Sequence, residues 1–177
     1  MTKNNKLTVY LGGNMLEKAA QMLRNIEKEQ ISALGFEPYA PQDDKEINDK
    51  SNQSEESNNN LAERIFDKDT KAMMNADILI FEVSNNNVGT TAEIGQWAMV
   101  HRLAKEGIGG DEIKKLAQKP IFFHSTDVRD TDIPEIGHRR SHSYNQYLHA
   151  ACLECNKNGI QKWDDVLKEL NIINGSR

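Results

Sequence analysis

Apolar positions along this chain follow two rhythms. Short unbroken runs, Leu7-Thr8-Val9-Tyr10-Leu11, Ile78-Leu79-Ile80-Phe81 and Ile121-Phe122-Phe123, read as strands. Between them apolar residues recur at helical spacing. The first helix is predicted over 15–34, with Leu16, Ala19, Ala20, Leu23, Ile26 and Ile31, and Gly35 closes it at C′. A poorer strand follows at 36–39 and stops at Pro41. Helices are predicted over 61–75, 91–105, 144–156 and 163–170, and a short last strand begins at Gly159-Ile160. Residues 107–110 and 125–143 read as loops. Such alternation of strand and helix predicts a parallel sheet with helices on both faces. The run 77–83 is apolar almost throughout, as expected of a strand buried on both sides.

Residues 42–60 break the rhythm. They are Asp, Lys, Asn, Ser and Glu with only Ile47 apolar, and predict a mobile polar loop. The whole chain, 1–177, has the length of a single domain. Hydrophobic residues make up 37%, charged residues 28%, and the net charge is -5. That balance argues against nucleic acid as a partner, since phosphate-binding surfaces are basic. Neither a signal-peptide core nor a membrane-length apolar stretch is visible, so a cytoplasmic protein is expected. Cys152 and Cys155 form a C-x-x-C inside a predicted helix, without the second ligand pair or βα turn that metal or redox chemistry wants.

The segment Asn87-Val88-Gly89-Thr90-Thr91-Ala92-Glu93-Ile94-Gly95 places a carboxylate where the third strand hands over to a helix. In open α/β sheets, ligands bind outside the carboxyl ends of the strands. Thr90-x-x-Glu93 is also a capping box, which would give Glu93 a purely structural task. Other strand ends add Tyr10 and the Gly12-Gly13 turn, and Asp127 with Arg129. The helix before the third strand adds Asp69.

Several chemistries are set aside by pattern. Gly12-Gly13-Asn14-Met15-Leu16 does not fit the dinucleotide fingerprint, and no phosphate-loop motif occurs. His138, His142 and His149 match no standard metal spacing, so no metal is expected. A serine-hydrolase elbow is missing as well. Carboxylate chemistry remains. An ionised Glu can attack an anomeric carbon and form a covalent glycosyl intermediate.

Three blocks carry a resemblance. Val9-Tyr10-Leu11-Gly12-Gly13, then Asp69-Thr70-Lys71-Ala72-Met73-Met74-Asn75-Ala76-Asp77-Ile78-Leu79-Ile80, then Asn87 to Gly95, resemble the nucleoside 2-deoxyribosyltransferases. Tyr144-Asn145-Gln146-Tyr147-Leu148 extends the match towards the C-terminus. The resemblance implies an α/β, flavodoxin-like three-layer sandwich with a five-stranded parallel sheet. It implies transfer of a 2-deoxyribosyl group between nucleobases, with retention, through a covalent glutamyl intermediate. Glu93 stands at the nucleophile position, Asp69 where a carboxylate meets the base, and Tyr10 where a tyrosine orients the nucleophile. Beside these, the strand ends themselves offer Gly12, Gly13, Asn87, Gly89, Asp127 and Arg129 as candidates for binding substrate. Asn145 stands where a neighbouring subunit reaches the sugar, which implies a homo-oligomer, a dimer or higher, with shared active sites. The partners are a nucleoside or nucleotide and a free nucleobase, and no cofactor is used.

Two places depart from the pattern: the segment Ser125 to Arg129 with the His138-Arg139-Arg140 loop, which resembles related nucleoside and nucleotide N-glycosidases more closely, and one position before the nucleophile. The transferase branch has an aspartate six residues before the nucleophile, and here it is Asn87. An amide hydrogen-bonds but cannot pass a proton. Proton transfer then falls to Asp69. Two alternatives follow. One is an N-glycosidase that hydrolyses deoxynucleosides or their 5′-monophosphates, with Arg129, Arg139 or Arg140 gripping the phosphate. The other is a nucleotide-binding protein without catalysis.

Overall fold

The structure is a computed structural model, and it describes residues 6–45, 54, 58–128 and 144–176. In chain order the elements are β1 (Thr8–Gly12), α1 (Lys18–Ala33), β2 (Glu37–Tyr39), a 3-10 turn (Pro41–Asp43), α2 (Leu61–Asn75), β3 (Ile78–Glu82), α3 (Val88–Lys105), α4 (Gly110–Ala117), β4 (Ile121–His124), α5 (Gln146–Cys155), β5 (Ile160–Gln161) and α6 (Trp163–Gly175). The strands form one parallel sheet in the order β2-β1-β3-β4-β5. That order is the flavodoxin order, in which the chain first winds one way from β1 and then the other.

The chain forms two compact units, 1–79 and 80–177, with the boundary inside β3. In the first unit, β1 pairs with β2 through Thr8↔Glu37, Val9↔Pro38 and Tyr10↔Tyr39. Pro38 lacks an N–H, which suits the edge place of β2. Asp77 ties the start of β1: its Oδ2 accepts from the Thr8 amide at 2.8 Å and the Thr8 hydroxyl at 2.9 Å. Val9, Tyr10, Leu11, Ile31, Phe36 and Met73 are buried here. α1 ends as its sequence predicts. The Gly35 amide donates to the Ser32 carbonyl and the Phe36 amide to the Ile31 carbonyl, with Gly35 at φ 90°. That is a Schellman ending, and its apolar pair, Ile31 and Phe36, is buried.

The phase of α1 differs from the expectation. Its buried residues are Arg24, Glu27 and Ile31. Leu16 lies outside the helix and is 92% exposed, and Ile26 is 51% exposed. The apolar residues of this segment do not mark its inner stripe, because two charges occupy that stripe.

In the second unit, β4 pairs with β5 through Phe123↔Ile160 and His124↔Gln161. Every residue of β3 is buried, and so is every residue of β4. α3 turns Thr90, Ile94 and Trp97 inward, and α5 turns Leu148 and Cys152 inward. Arg102 on α3 reaches Glu154 on α5 at 2.8 Å. α4 was not expected. Its eight residues, GDEIKKLA, lie partly in the predicted 107–110 loop and hold too few apolar positions to declare a period. Most of the 42–60 loop lies outside the described residues. Among the described residues, no helix is long and apolar enough to cross a membrane.

Candidate active site

The first unit gathers Tyr39, Asp44 and Lys68 around Asp69. Tyr10 is fully buried near the carboxyl end of β1. Its ring lies 6.0 Å from that of its strand partner Tyr39. Tyr39 sits in the field of Asp69 and Asp44, and burial together with those charges pushes its hydroxyl above the ordinary range. Asp44 follows the 3-10 turn and is held by Lys68 at 3.0 Å. Asp69 is half-buried on α2. Burial first, and the Asp44 charge second, push its carboxyl up to about 6, against the pull of Lys68. A carboxyl there carries its proton into mildly acidic solution and gives it up near neutrality, which suits acid–base work. Gly12 ends β1, and both Gly12 and Gly13 are buried. Tyr39 and Asp44 escaped the sequence reading. Only the Asp-Asp pair after Pro41 hinted at them.

In the second unit, the start of α3 corrects an expectation. The N-cap is Asn87, not Thr90. The Asn87 carbonyl oxygen accepts from the Thr90 amide at 3.3 Å, and its amide nitrogen donates to the Thr90 hydroxyl at 2.7 Å. The Thr91 hydroxyl donates to the Asn87 backbone carbonyl at 2.8 Å. Asparagine is among the best N-caps. Glu93 therefore stands in the second turn, too far along to close a capping box. It is also beyond the first turn, where the helix dipole acts. Its Oε2 is shielded from solvent. Gly89 is exposed in the first turn, where an added Cβ would meet only Asn87 Oδ1 at 3.8 Å. The fold does not demand a glycine there.

Around this helix start, the β3 and β4 ends are built from polar side chains. Glu82, buried in the last position of β3, accepts from the Thr126 hydroxyl at 2.6 Å. The Asp127 amide donates to the Ser125 hydroxyl at 3.0 Å, and Asp127 is half-buried. Asn85 accepts from the Asn145 amide at 3.0 Å. Asn145 is exposed and caps α5, accepting from Tyr147 and Leu148 at 2.9 and 3.3 Å. The sequence reading missed Glu82, although a carboxylate closing an apolar run was there to be seen. Arg129, His138, Arg139, Arg140 and His142 lie outside the described residues. Among the described residues, no cluster of His, Cys, Asp or Glu could hold a metal ion. Cys152 and Cys155 are free thiols, both pushed up to about 12, chiefly by burial.

Residues 9–135 match the family model described as nucleoside 2-deoxyribosyltransferase. The fold is similar to a conserved protein from Enterococcus faecalis V583, with a TM-score of 0.64 and 21% identity, covering 95% of this chain and 99% of that one. It is also similar to a 2-deoxyribosyltransferase from the psychrotolerant bacterium Bacillus psychrosaccharolyticus, with a TM-score of 0.54 and 14% identity over 90% of each chain. The search of curated proteins found no match.

Proposed function

Because this chain belongs to the nucleoside 2-deoxyribosyltransferase family, whose members are glycosyl-transferring enzymes that bind nucleosides and nucleobases, we propose that it moves a 2-deoxyribosyl group between nucleobases with retention. Glu93 is the nucleophile. Its carboxylate attacks the anomeric carbon, the bond to the base nitrogen breaks, and the electron pair leaves with the base. Asp69 gives that base a proton, then takes one from the incoming base as it displaces Glu93. Tyr10 orients the nucleophile. Gly12, Gly13, Asn87, Gly89, Asp127 and Arg129 contact substrate, and no cofactor is needed.

The observation that carries this reading is the helix start. Asn87 caps α3, so Glu93 has no capping task and still keeps an oxygen out of water. A covalent nucleophile needs such a setting. The experiment is mass spectrometry of the protein mixed with a slow 2-fluoro-2-deoxynucleoside. The expected result is a fluorodeoxyribosyl mass gain on the peptide bearing Glu93. An adduct on another residue would remove Glu93 from the role.

Asp69 supplies a second test, through pH. As a general acid it must be protonated, so kcat/KM falls as pH rises through about 6. Asp69→Asn removes that limb and, with it, about 10²-fold or more of the rate. Stability follows the same sign. The folded state holds this proton where the unfolded chain has lost it, so stability declines as pH rises from the ordinary carboxylate range through about 6. A falling limb that survives Asp69→Asn assigns the acid elsewhere.

Hydrolysis is the second reading, and Asn87 favours it. A capping amide cannot pass a proton to an incoming base, which leaves water as the simpler acceptor. Deoxyinosine with free adenine separates the two. Deoxyadenosine marks transfer, and free deoxyribose alone marks hydrolysis. We extend the proposal to assembly: with Asn145 Oδ1 committed to its own helix, its amide nitrogen is the group offered to the sugar in a second copy's site. A reducing cytosol, where two free thiols stay unpaired, is the matching location.

A further inference from the structure

Two charged side chains of the first unit are sealed from solvent, and the proposed chemistry uses neither. Arg24 and Glu27 expose 1% and 2% of their side chains and meet at 2.8 Å, one turn apart on α1. Burying an ion pair costs desolvation on both sides. Apolar residues of similar volume usually serve stability as well or better. Stability alone therefore does not account for the pair. Its surroundings supply a reason. Arg24 Nη1 donates to the carbonyl oxygen of Gly12 across a long 3.5 Å, and Gly12 is the last residue of β1. The turn that follows is gripped at two more places. Asn14 Oδ1 accepts from the Leu16 amide at 3.1 Å, and Gln21 Nε2 donates to the Met15 carbonyl at 2.8 Å. Glu17, the N-cap of α1, makes no side-chain cap. The turn is held by its own Asn14 and by Gln21 and Arg24 reaching back from the helix body.

We propose that Arg24, clamped by Glu27, is a positioning residue that fixes the Gly12-Gly13 turn and thereby sets how tightly the deoxynucleoside is held. The ligand assignment rests on the reading above. The fixing of the turn does not. Arginine suits the task because its planar fork sends one nitrogen to a carboxylate and another to a carbonyl. A lysine ammonium on a flexible stem keeps the charge but has no such fork.

The test uses two variants. Arg24→Met with Glu27→Leu removes both charges at similar volume and is expected to fold. Arg24→Lys keeps the ion pair without the fork. In both, hydrogen exchange at the amides of residues 13–16 is expected to quicken by about tenfold while the rest of β1 and α1 keeps its protection. KM for deoxyinosine is expected to rise by about tenfold with kcat little changed, the pattern of lost uniform binding. Parent-like exchange at residues 13–16 in both variants overturns the proposal. So does a loss confined to kcat. If the double variant fails to fold, Arg24→Lys decides. If the parent turns over no nucleoside, the functional reading fails, and the exchange measurement still decides whether Arg24 fixes the turn.

Discussion

α1 and α3 each leave the sheet after a strand, and they are secured in opposite ways. α3 is secured at its front. One side chain, Asn87, closes the first turn by giving and taking a hydrogen bond with Thr90. Its inner stripe of Thr90, Ile94 and Trp97 is mostly apolar. α1 is secured from behind. Its cap position makes no side-chain bond, and Gln21 and Arg24 reach back to hold the preceding turn. Its inner stripe carries a charge pair. The lesson concerns which residues are left for chemistry. A short cap at the front leaves the capping of α3 to Asn87, so Glu93, in the second turn, takes no part in it. In α1 the buried charges meet each other, and Arg24 also reaches the Gly12 carbonyl.

Three substitutions press on this contrast, each read by urea denaturation. Arg24→Met alone leaves Glu27 as a buried uncompensated charge and is expected to cost about 3–5 kcal/mol. Asn87→Ala removes one cap from a helix with a sound apolar stripe, and about 1 kcal/mol is expected. If Asn87→Ala proves the more damaging of the two, the distinction between front and rear anchoring fails. Leu16→Gln marks the lower end. Leu16 is 92% exposed, so a change within about 0.5 kcal/mol is expected. A larger loss would mean that the apolar residues of this segment support the fold after all, and that the stripe has a second side.

The same contrast explains what could be read from the chain in advance. β1, β3 and β4 announced themselves because buried parallel strands are unbroken apolar runs. α3 and α5 were legible because their inward residues are apolar at helical spacing. Gly35 marked its helix end because few other residues adopt φ 90° there. α1 was legible as a helix but not in its phase, since periodicity counts apolar residues and its inner stripe includes Arg24 and Glu27. Glu93 was singled out as a candidate by its place after a strand. Its supposed cap was misplaced by three residues, because both Asn87 and Thr90 are good caps and only geometry chooses between them. The setting of Asp69 lay beyond sequence reasoning. Lys68 is its neighbour on α2, but Tyr39 on β2 and Asp44 after the 3-10 turn lie far back in the chain, and no local spacing joins them to it.

The two cysteines have a practical consequence. With both thiols pushed up to about 12, chiefly by burial, little of either is thiolate at neutral pH, and alkylating reagents act on the thiolate. The native chain is therefore a quiet background for site-directed labelling. A single new cysteine at an exposed position such as Val128 would take a fluorophore or spin label almost alone. The behaviour of the β4 end could then be followed during turnover without first removing Cys152 or Cys155.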